Sequence, residues 1–163
     1  MSELAIRAAT TSDAAVICLI YNQGIEDRIA TLETERRTPE ERRQWLAAGG
    51  ARHPVFVAEA PPGAEGVGVV GWGSLNVYNP REAYRYVADF SVYVERGWRG
   101  RGVGRRLLAH LIEQARALDY HKMMLSTFPF NESGVALYER MGFTKMGVFR
   151  EMGRLADHWV DTL

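Results

Sequence analysis

Hydrophobic positions along the chain recur with two periods, and segments of the two kinds alternate. A period of two is typical of half-buried strands, and a period of three to four is typical of helices. The order of these segments predicts β-α-α-β-β-β-α-β-α-β-β, which is a mixed α/β sheet with helices on its faces. The predicted strands are Leu4–Arg7, Val55–Glu59, Val67–Leu75, Tyr86–Val94, Lys122–Thr127, Thr144–Arg150 and His158–Leu163.

Capping signals add to the spacing in predicting the helices. The first helix is expected to face Val16, Ile17, Leu19 and Ile20 inward. Residues 61–63 predict a hairpin turn, and residues 76–83 predict a loop. The predicted helices run from a cap at Asp13 to about Gln23, from Thr38 with Pro39 and Glu41 to Gly49–Gly50, from the glycine-rich turn to about Leu118, and from Asn131 or Ser133 to Gly142.

Composition limits the classes of function. The chain has 20 basic and 20 acidic residues, and this zero net charge argues against nucleic acid as the main partner. Its longest apolar run, Ala14–Tyr21, is too short to span a membrane, and the N-terminus lacks a signal-peptide pattern. The single cysteine, Cys18, fits a reducing cytoplasm and a place in the core. We therefore expect one cytoplasmic domain over residues 1–163, with no membrane partner.

A glycine-rich stretch, Arg99-Gly-Arg-Gly-Val-Gly104, lies between a predicted strand and a predicted helix. Glycines let a backbone approach a ligand closely, and the first N–H groups of a helix attract an anion. The stretch lacks both the Gly-Lys-Ser/Thr ending and the G-x-G-x-x-G spacing of the common nucleotide loops. It therefore predicts a different polyphosphate site, with a simple strand-to-helix turn as the alternative.

Two separate motifs resemble the GCN5-related N-acetyltransferase (GNAT) family. Arg99-x-x-Gly102-x-Gly104 is similar to the family's acetyl-CoA pyrophosphate loop, and residues 131–143 are similar to its N-x-x-S/A-x-x-L-Y-E-x-x-G-F segment. The resemblance covers nearly the whole chain. It implies a central sheet of about seven strands with about four helices, splayed at the acetyl-CoA site. It also implies an enzyme that uses acetyl-CoA as co-substrate and needs no metal.

Further stretches resemble the phosphinothricin and arsinothricin N-acetyltransferases within that family. These are Ile20–Glu26 with Thr31 and Thr34-Glu35, Arg81–Tyr84, and Ala88–Val94, in which Asp89 stands where the group usually has Glu. The likeness implies direct attack on the thioester by the amino group of phosphinothricin, methionine sulfoximine, arsinothricin or a similar small acidic amino acid. It also implies a homodimer. A different amine, such as a protein N-terminus or a polyamine, and a non-catalytic CoA-binding domain remain as alternatives.

Acetyl transfer requires a bound donor, a deprotonated amine, a hydrogen-bond donor for the oxyanion and a proton for the leaving thiolate. The resemblance implies that a backbone N–H near Val92 stabilises the oxyanion. The residues expected to bind acetyl-CoA are Val92, Tyr93, Val94, Arg99, Gly100, Arg101, Gly102, Val103, Gly104, Arg105, Asn131 and Ser133. For Asn131 the alternative is a helix cap.

Four side-chain roles complete the expected site. Asp89 and Glu26 are the candidate bases. Asp89 is the favoured base, because a carboxylate within an apolar strand needs a reason to be there. Glu26 could instead be the counter-ion of the substrate ammonium group. Tyr138 is the candidate acid, since a phenol with a pKa of about 10 can protonate a thiolate, and packing is its alternative role. Arg81 is expected to bind the acidic end of the acceptor, with Tyr84 in the same pocket. The four histidines have no metal-ligand spacing.

Overall fold

A computed structural model describes residues 3–28, 31–65 and 68–163. These residues form strands and helices in the predicted order, joined by short 3-10 turns at Thr11–Asp13, Glu82–Tyr84 and Arg96–Trp98. The strands and helices are β1 (Ala5–Ala8), α1 (Ala14–Asp27), α2 (Pro39–Ala48), β2 (Val55–Glu59), β3 (Val69–Val77), β4 (Val87–Val94), α3 (Val103–Ala117), β5 (Lys122–Met124), α4 (Glu132–Arg140), β6 (Phe149–Leu155) and β7 (His158–Thr162).

Two compact units make up the chain. The first unit, here the sheet unit, comprises the residues up to Tyr21 together with Arg37–Leu125. The second, here the hairpin unit, comprises Asn22–Arg36 and Ser126–Leu163. The single domain expected over residues 1–163 stays a prediction.

The sheet unit contains a five-stranded sheet in the order β1-β2-β3-β4-β5. Neighbouring strands in this sheet are antiparallel, except for β4 and β5, which are parallel. Pairing between β4 and β5 covers only residues 87–89 of β4 and ends where Asp89 meets Met124. Beyond this point no strand in the described part of the chain pairs with that edge of β4. The sheet therefore opens beside residues 90–94, as expected of a splayed sheet.

One face of this sheet is covered by α3. The side chains of Leu107, Leu108 and Leu111 are fully buried there. A Cβ at Gly71 would lie 2.9 Å from Val103 Cγ1, and a Cβ at Gly73 would lie 3.0 Å from Leu111 Cδ1. These two glycines therefore let α3 lie close to β3, which is a recurrent use of glycine inside strands.

The opposite face of the sheet carries an aromatic cluster. Trp72 stacks on Tyr93 with 5.0 Å between ring centroids, and Trp45 of α2 meets Trp72 edge-on at 5.6 Å. The guanidinium of Arg42 lies 4.2 Å from the ring centroid of Tyr21, a cation–π distance. The cluster packs side chains of α1 and α2 against β3 and β4.

The hairpin unit has its own small core of Phe128, Leu155 and Val160. Strands β6 and β7 form an antiparallel pair separate from the five-stranded sheet. Several apolar side chains on and before this pair are exposed: Met146, Val148, Phe149, Met152 and Trp159. This arrangement divides the expected seven strands into five and two.

The start of the first helical segment differs from the prediction. Thr10 is the N-cap, and Asp13, expected to be the cap, lies three residues later. The carboxylate of Asp13 accepts the backbone N–H of Thr10 at 2.8 Å and pairs with Arg7, and this pairing holds the pKa of Asp13 below its ordinary value. Leu19, expected to face inward, is 57% exposed, because the buried stripe of α1 runs through Ile17 and Ile20 instead.

Several strand boundaries differ from the prediction. The fifth strand ends at Met124 instead of Thr127, and the sixth ends at Leu155 instead of Arg150. The third strand includes residues 76 and 77, predicted to begin a loop, because Asn76 pairs with Asp89 and Val77 with Ala88. Residues 144–148, predicted as strand, lie before β6, which begins at Phe149. The predicted start at Val67 lies outside the described residues. The predicted capping box of α2, with Thr38 as the cap and Pro39 in the first turn, is confirmed.

Candidate active site

The glycine-rich stretch forms an open turn before α3. Gly100 and Gly102 have φ angles of +76° and +84°, and a Cβ at either position would meet nothing within 4 Å. Backbone conformation, not crowding, therefore requires these glycines, and the space above them is open. Gly102 is the N-cap of α3, and no side chain among the described residues caps this helix. Its first-turn N–H groups and its dipole suit a bound phosphate group.

Arginines surround this turn in several environments. Arg99 Nε donates to the backbone carbonyl of Val94 at 3.3 Å. Val94 is one of the residues expected to bind acetyl-CoA, and its carbonyl already has this intramolecular partner. The guanidinium of Arg101 lies 4.9 Å from the Trp98 ring centroid. Arg101 and Arg105 are exposed beside the turn. Their positive charge adds to that of the helix N-terminus.

The open edge of β4 lies directly before the turn. Val92 and Val94 pair with Gly73 and Gly71 of β3, and their side chains pack against the core under α3. Beyond Asp89 the other edge of β4 lacks a paired strand in the described ranges. A strand edge of this kind carries backbone groups that suit an extended ligand arm. The binding of acetyl-CoA by residues 92–94 stays a prediction.

Asp89 is half-buried on β4, and burial raises the pKa of its carboxyl group. The backbone N–H of Phe90 and the amide of Asn76 donate to the carboxylate and partly oppose that rise in pKa. A raised pKa brings a carboxylate closer to the range in which it acts as a general base.

The sequence interpretation missed the polar residues around Asp89. Asn76 Nδ2 donates to Ser91 Oγ at 3.0 Å, and Ser74 Oγ donates to Asn76 Oδ1 at 2.8 Å. Ser74 and Asn76 stand at alternate positions of β3, and this is the signal that was available in the sequence. Their relation to Asp89 depends on strand register, which the sequence pattern does not supply.

Glu26 lies on the last turn of α1, in the hairpin unit. Its Oε1 atom is 2.6 Å from Arg36 Nη2. Both side chains line a cleft of about 350 Å³. The lining residues are Ile25, Glu26, Arg28, Glu33, Thr34, Arg36, Leu155 and Ala156. The cleft thus combines two acidic and two basic side chains, and Arg36 was not singled out from the sequence.

Tyr138 and Asn131 belong to the hairpin unit as well. Tyr138 on α4 meets Phe143 edge-on at 6.2 Å, and burial raises the pKa of its phenol above the ordinary value. Asn131 caps α4: its Oδ1 accepts the Gly134 N–H at 3.3 Å, and its Nδ2 lies 3.3 Å from Thr127 Oγ1. Ser133 is exposed in the first turn of α4. The packing of Tyr138 and the cap formed by Asn131 are both present, and their ligand roles stay predictions.

Arg81 and Tyr84 lie together at the 3-10 turn between β3 and β4. Both are exposed, and the Tyr84 N–H donates to the Arg81 carbonyl at 2.9 Å. The Tyr84 ring meets Tyr78 edge-on at 5.7 Å. The guanidinium of Arg81 therefore stands on a short structured turn of the sheet unit.

Residues 3–28, 31–65 and 68–163 contain neither a membrane-spanning helix nor a metal-binding cluster. No helix there has the length and apolar character needed to cross a membrane. No group of three or more His, Cys, Asp or Glu side chains able to hold a metal ion occurs there.

Comparison with known proteins agrees with this geometry. The family model described as "Acetyltransferase (GNAT) family" matches residues 22–143. The phosphinothricin N-acetyltransferase of Streptomyces coelicolor is 32% identical, over 94% of this chain and 89% of the relative. The L-methionine sulfoximine/L-methionine sulfone acetyltransferase of Pseudomonas paraeruginosa is 31% identical, over 96% of this chain and 89% of the relative.

A solved structure is similar over nearly the whole chain. The phosphinothricin acetyltransferase of Sinorhizobium meliloti in complex with acetyl-CoA superposes with a TM-score of 0.89, at 27% identity, over 99% of this chain and 85% of that one. The open glycine turn and the unpaired edge of β4 fit that co-substrate. The chain therefore belongs to the GNAT family of acetyltransferases and is an N-acetyltransferase that uses acetyl-CoA.

Proposed function

We propose that the acceptor is the amino group of a small acidic amino acid or analogue, of the phosphinothricin, methionine sulfoximine or arsinothricin type. The observation that carries this proposal is the charged cleft in which Glu26 pairs with Arg36. The two relatives, a phosphinothricin N-acetyltransferase and a methionine sulfoximine/methionine sulfone acetyltransferase, support it.

The cleft suits a ligand that carries charges of both signs. Its volume of about 350 Å³ is at the small end of ligand pockets. A carboxylate such as Glu26 attracts an ammonium group, and a guanidinium such as Arg36 binds carboxylate, phosphinate or arsonate oxygens. An acidic amino acid offers both kinds of group. We propose that in this cleft Glu26 binds the ammonium group and Arg36 binds the acidic end. The roles of Arg81 and Tyr84 in acceptor binding stay predictions.

Asp89 is the better supported of the two candidate bases. Its pKa is raised by burial, whereas the carboxylate of Glu26 already holds Arg36 as an ion-pair partner. We propose that Asp89 accepts the amine proton, directly or through water, as the new N–C bond forms. When the C–S bond breaks, the Tyr138 phenol, which is protonated at neutral pH, gives its proton to the thiolate sulfur and regains one from solvent. Burial raises the pKa of this phenol further and so disfavours a lasting phenolate.

The donor is held, in this proposal, by the turn at residues 99–105, by residues 92–94, and by Asn131 and Ser133. Acetyl-CoA supplies the thioester carbonyl that the amine attacks. The backbone N–H near Val92 stabilises the negative charge that develops on the carbonyl oxygen. The open turn at Gly100 and Gly102, with its positive φ angles, supports binding of the pyrophosphate there.

We further propose a homodimer in the cytoplasm. The exposed apolar side chains of β6 and β7, among them Phe149 and Trp159, support a subunit contact. Transfer of the acetyl group to phosphinothricin or a related toxin removes the positive charge of the toxin's amino group. We propose resistance to such compounds as the consequence.

A thiol-release assay with acetyl-CoA and a panel of amines tests the acceptor. We expect turnover with phosphinothricin or methionine sulfoximine, and at least about tenfold lower kcat/KM with their uncharged or decarboxylated analogues, because these lack a partner for a guanidinium. Polyamines and N-terminal peptides serve as the alternative acceptors. Faster turnover of a peptide would overturn the proposal, and binding of CoA without turnover of any amine would indicate a non-catalytic domain.

A further inference from the structure

A polar network on one face of β3 and β4 surrounds Asp89. The antiparallel register pairs Asn76 with Asp89 and Ser74 with Ser91. Side chains two residues apart on a strand share a face, so the four polar side chains form one group. Ser74 is 1% exposed, although its hydroxyl is polar. A buried polar group needs a partner, and Asn76 provides it.

The amide of Asn76 has one available orientation in this network. Its oxygen accepts the hydroxyl proton of Ser74 at 2.8 Å, so the NH₂ group is directed across to β4. There one N–H donates to Ser91 Oγ at 3.0 Å. The amide also faces Asp89, its partner in the strand register, and opposes the rise in the pKa of that carboxyl group. Rotation of the amide would turn its oxygen toward the Asp89 carboxylate, which in its ionised form only accepts hydrogen bonds. The carboxylate of Asp89 therefore selects the NH₂ side of Asn76, and the Ser74 hydroxyl holds the amide in that orientation by donating to its oxygen.

The charges near this carboxylate come from few sources. Its paired residues on β3 and β5 are Asn76 and Met124, both neutral. Ser91, its neighbour on the same face of β4, is neutral as well. The groups that favour the ionised carboxylate are the Phe90 N–H and the Asn76 amide. Of these two donors, only the Asn76 amide is a side chain that substitution can remove.

We propose that Asn76 is a positioning residue for acetyl transfer, which holds the Asp89 carboxylate in one orientation for the acceptor amine, and that Ser74 anchors Asn76. The inference rests on the proposed role of Asp89 as the base. It adds two residues from a different strand to the catalytic arrangement, neither of which belongs to the motifs that identify the family.

The test is the pH dependence of kcat, at saturating acetyl-CoA and acceptor, for Asn76→Ala and Ser74→Ala. Loss of a donor to an ionised carboxylate favours the protonated form. We expect Asn76→Ala to move the acid limb of the kcat profile up by about one pH unit and to lower the plateau about tenfold, with KM for acetyl-CoA unchanged. Ser74→Ala is expected to move the acid limb in the same direction by a smaller amount, because the Asn76 amide remains but is no longer anchored.

Val77→Ala is the matched control. Val77 is the next residue on β3, alternates to the other face and is 54% exposed, so its truncation is expected to leave the profile unchanged. Thermal unfolding and acetyl-CoA affinity establish that each variant is folded. If Asn76→Ala does not fold, Asn76→Ser replaces it, because its hydroxyl is too short to span from β3 to the carboxylate.

A double-mutant cycle separates positioning from a general structural effect. In an Asp89→Asn background, Asn76→Ala is expected to cause no further loss of kcat, since the group that it positions is gone. An equal loss in both backgrounds, or an unshifted acid limb in Asn76→Ala, overturns the inference while leaving Asp89 as the base. Wild-type turnover by Asp89→Asn alone overturns the role of Asp89 itself.

Discussion

Asp89 shows how one residue can be favourable for chemistry and unfavourable for stability. Burial raises the pKa of its carboxyl group, so the folded protein binds that proton more tightly than the unfolded chain does. The ionised form therefore costs free energy of folding. This cost is absent below the unfolded-state pKa and is complete once the pH exceeds the folded-state pKa.

The substitution Asp89→Asn tests both consequences. Because the variant carries no charge, we expect its free energy of unfolding to rise relative to that of the wild type as the pH increases from about 4 to about 8. Its kcat is expected to fall by about 100-fold or more through loss of the base. Urea denaturation at several pH values and steady-state kinetics measure the two effects. A stability difference that does not change with pH would contradict the raised pKa of Asp89.

Helix α3 and the turn before it show what can be predicted for a single element. The positive φ angles of Gly100 and Gly102 and the start of α3 follow from residues within a few positions of one another. The α2 capping box of Thr38 and Glu41 is local in the same way. By contrast, Leu19 and residues 144–148 were placed wrongly, since their surroundings come from distant parts of the chain.

The turn before α3 yields a prediction with an internal control. We expect Gly102→Glu to abolish acetyl-CoA binding, because the new carboxylate would repel the pyrophosphate and the side chain would occupy the open space. Gly63 has a similar φ of +86° and similarly open surroundings, but it lies in the predicted turn between β2 and β3. Gly63→Glu therefore introduces the same backbone strain, costing roughly 1 kcal/mol, and should retain acetyl-CoA affinity by calorimetry. Unchanged affinity of Gly102→Glu would refute the phosphate site.

At the scale of the whole molecule, the β6–β7 pair and the residues before it carry five of the exposed large apolar side chains in the described part of the chain. Phe149 is 65% exposed and Trp159 is 58% exposed, and neighbouring exposed apolar side chains of this kind are typical of protein–protein contacts. The chain has no net charge to keep such surfaces apart. Both observations favour a dimer in which the apolar side chains of β6 and β7 are covered.

Sedimentation tests the dimer. We expect the wild-type protein to sediment as a dimer at micromolar concentration and Trp159→Asp to sediment as a monomer, because the substitution places a charge in the contact. Leu19→Glu, a charge introduced at another exposed apolar site, is the control and should remain dimeric. A monomeric wild-type protein would contradict the proposal.

The sequence by itself determined the family, the co-substrate and the order of the elements. These depend on short motifs, such as Arg99–Gly104 and residues 131–143, whose residues act on their immediate neighbours. Tertiary structure alone decided the surroundings of Asp89. Asn76 meets it only because β3 and β4 pair in one register across the connection at residues 78–86, and a shift of one residue would turn Asn76 to the other face. The pairing of Glu26 with Arg36 is likewise a contact between a helix and a loop, which no local spacing specifies.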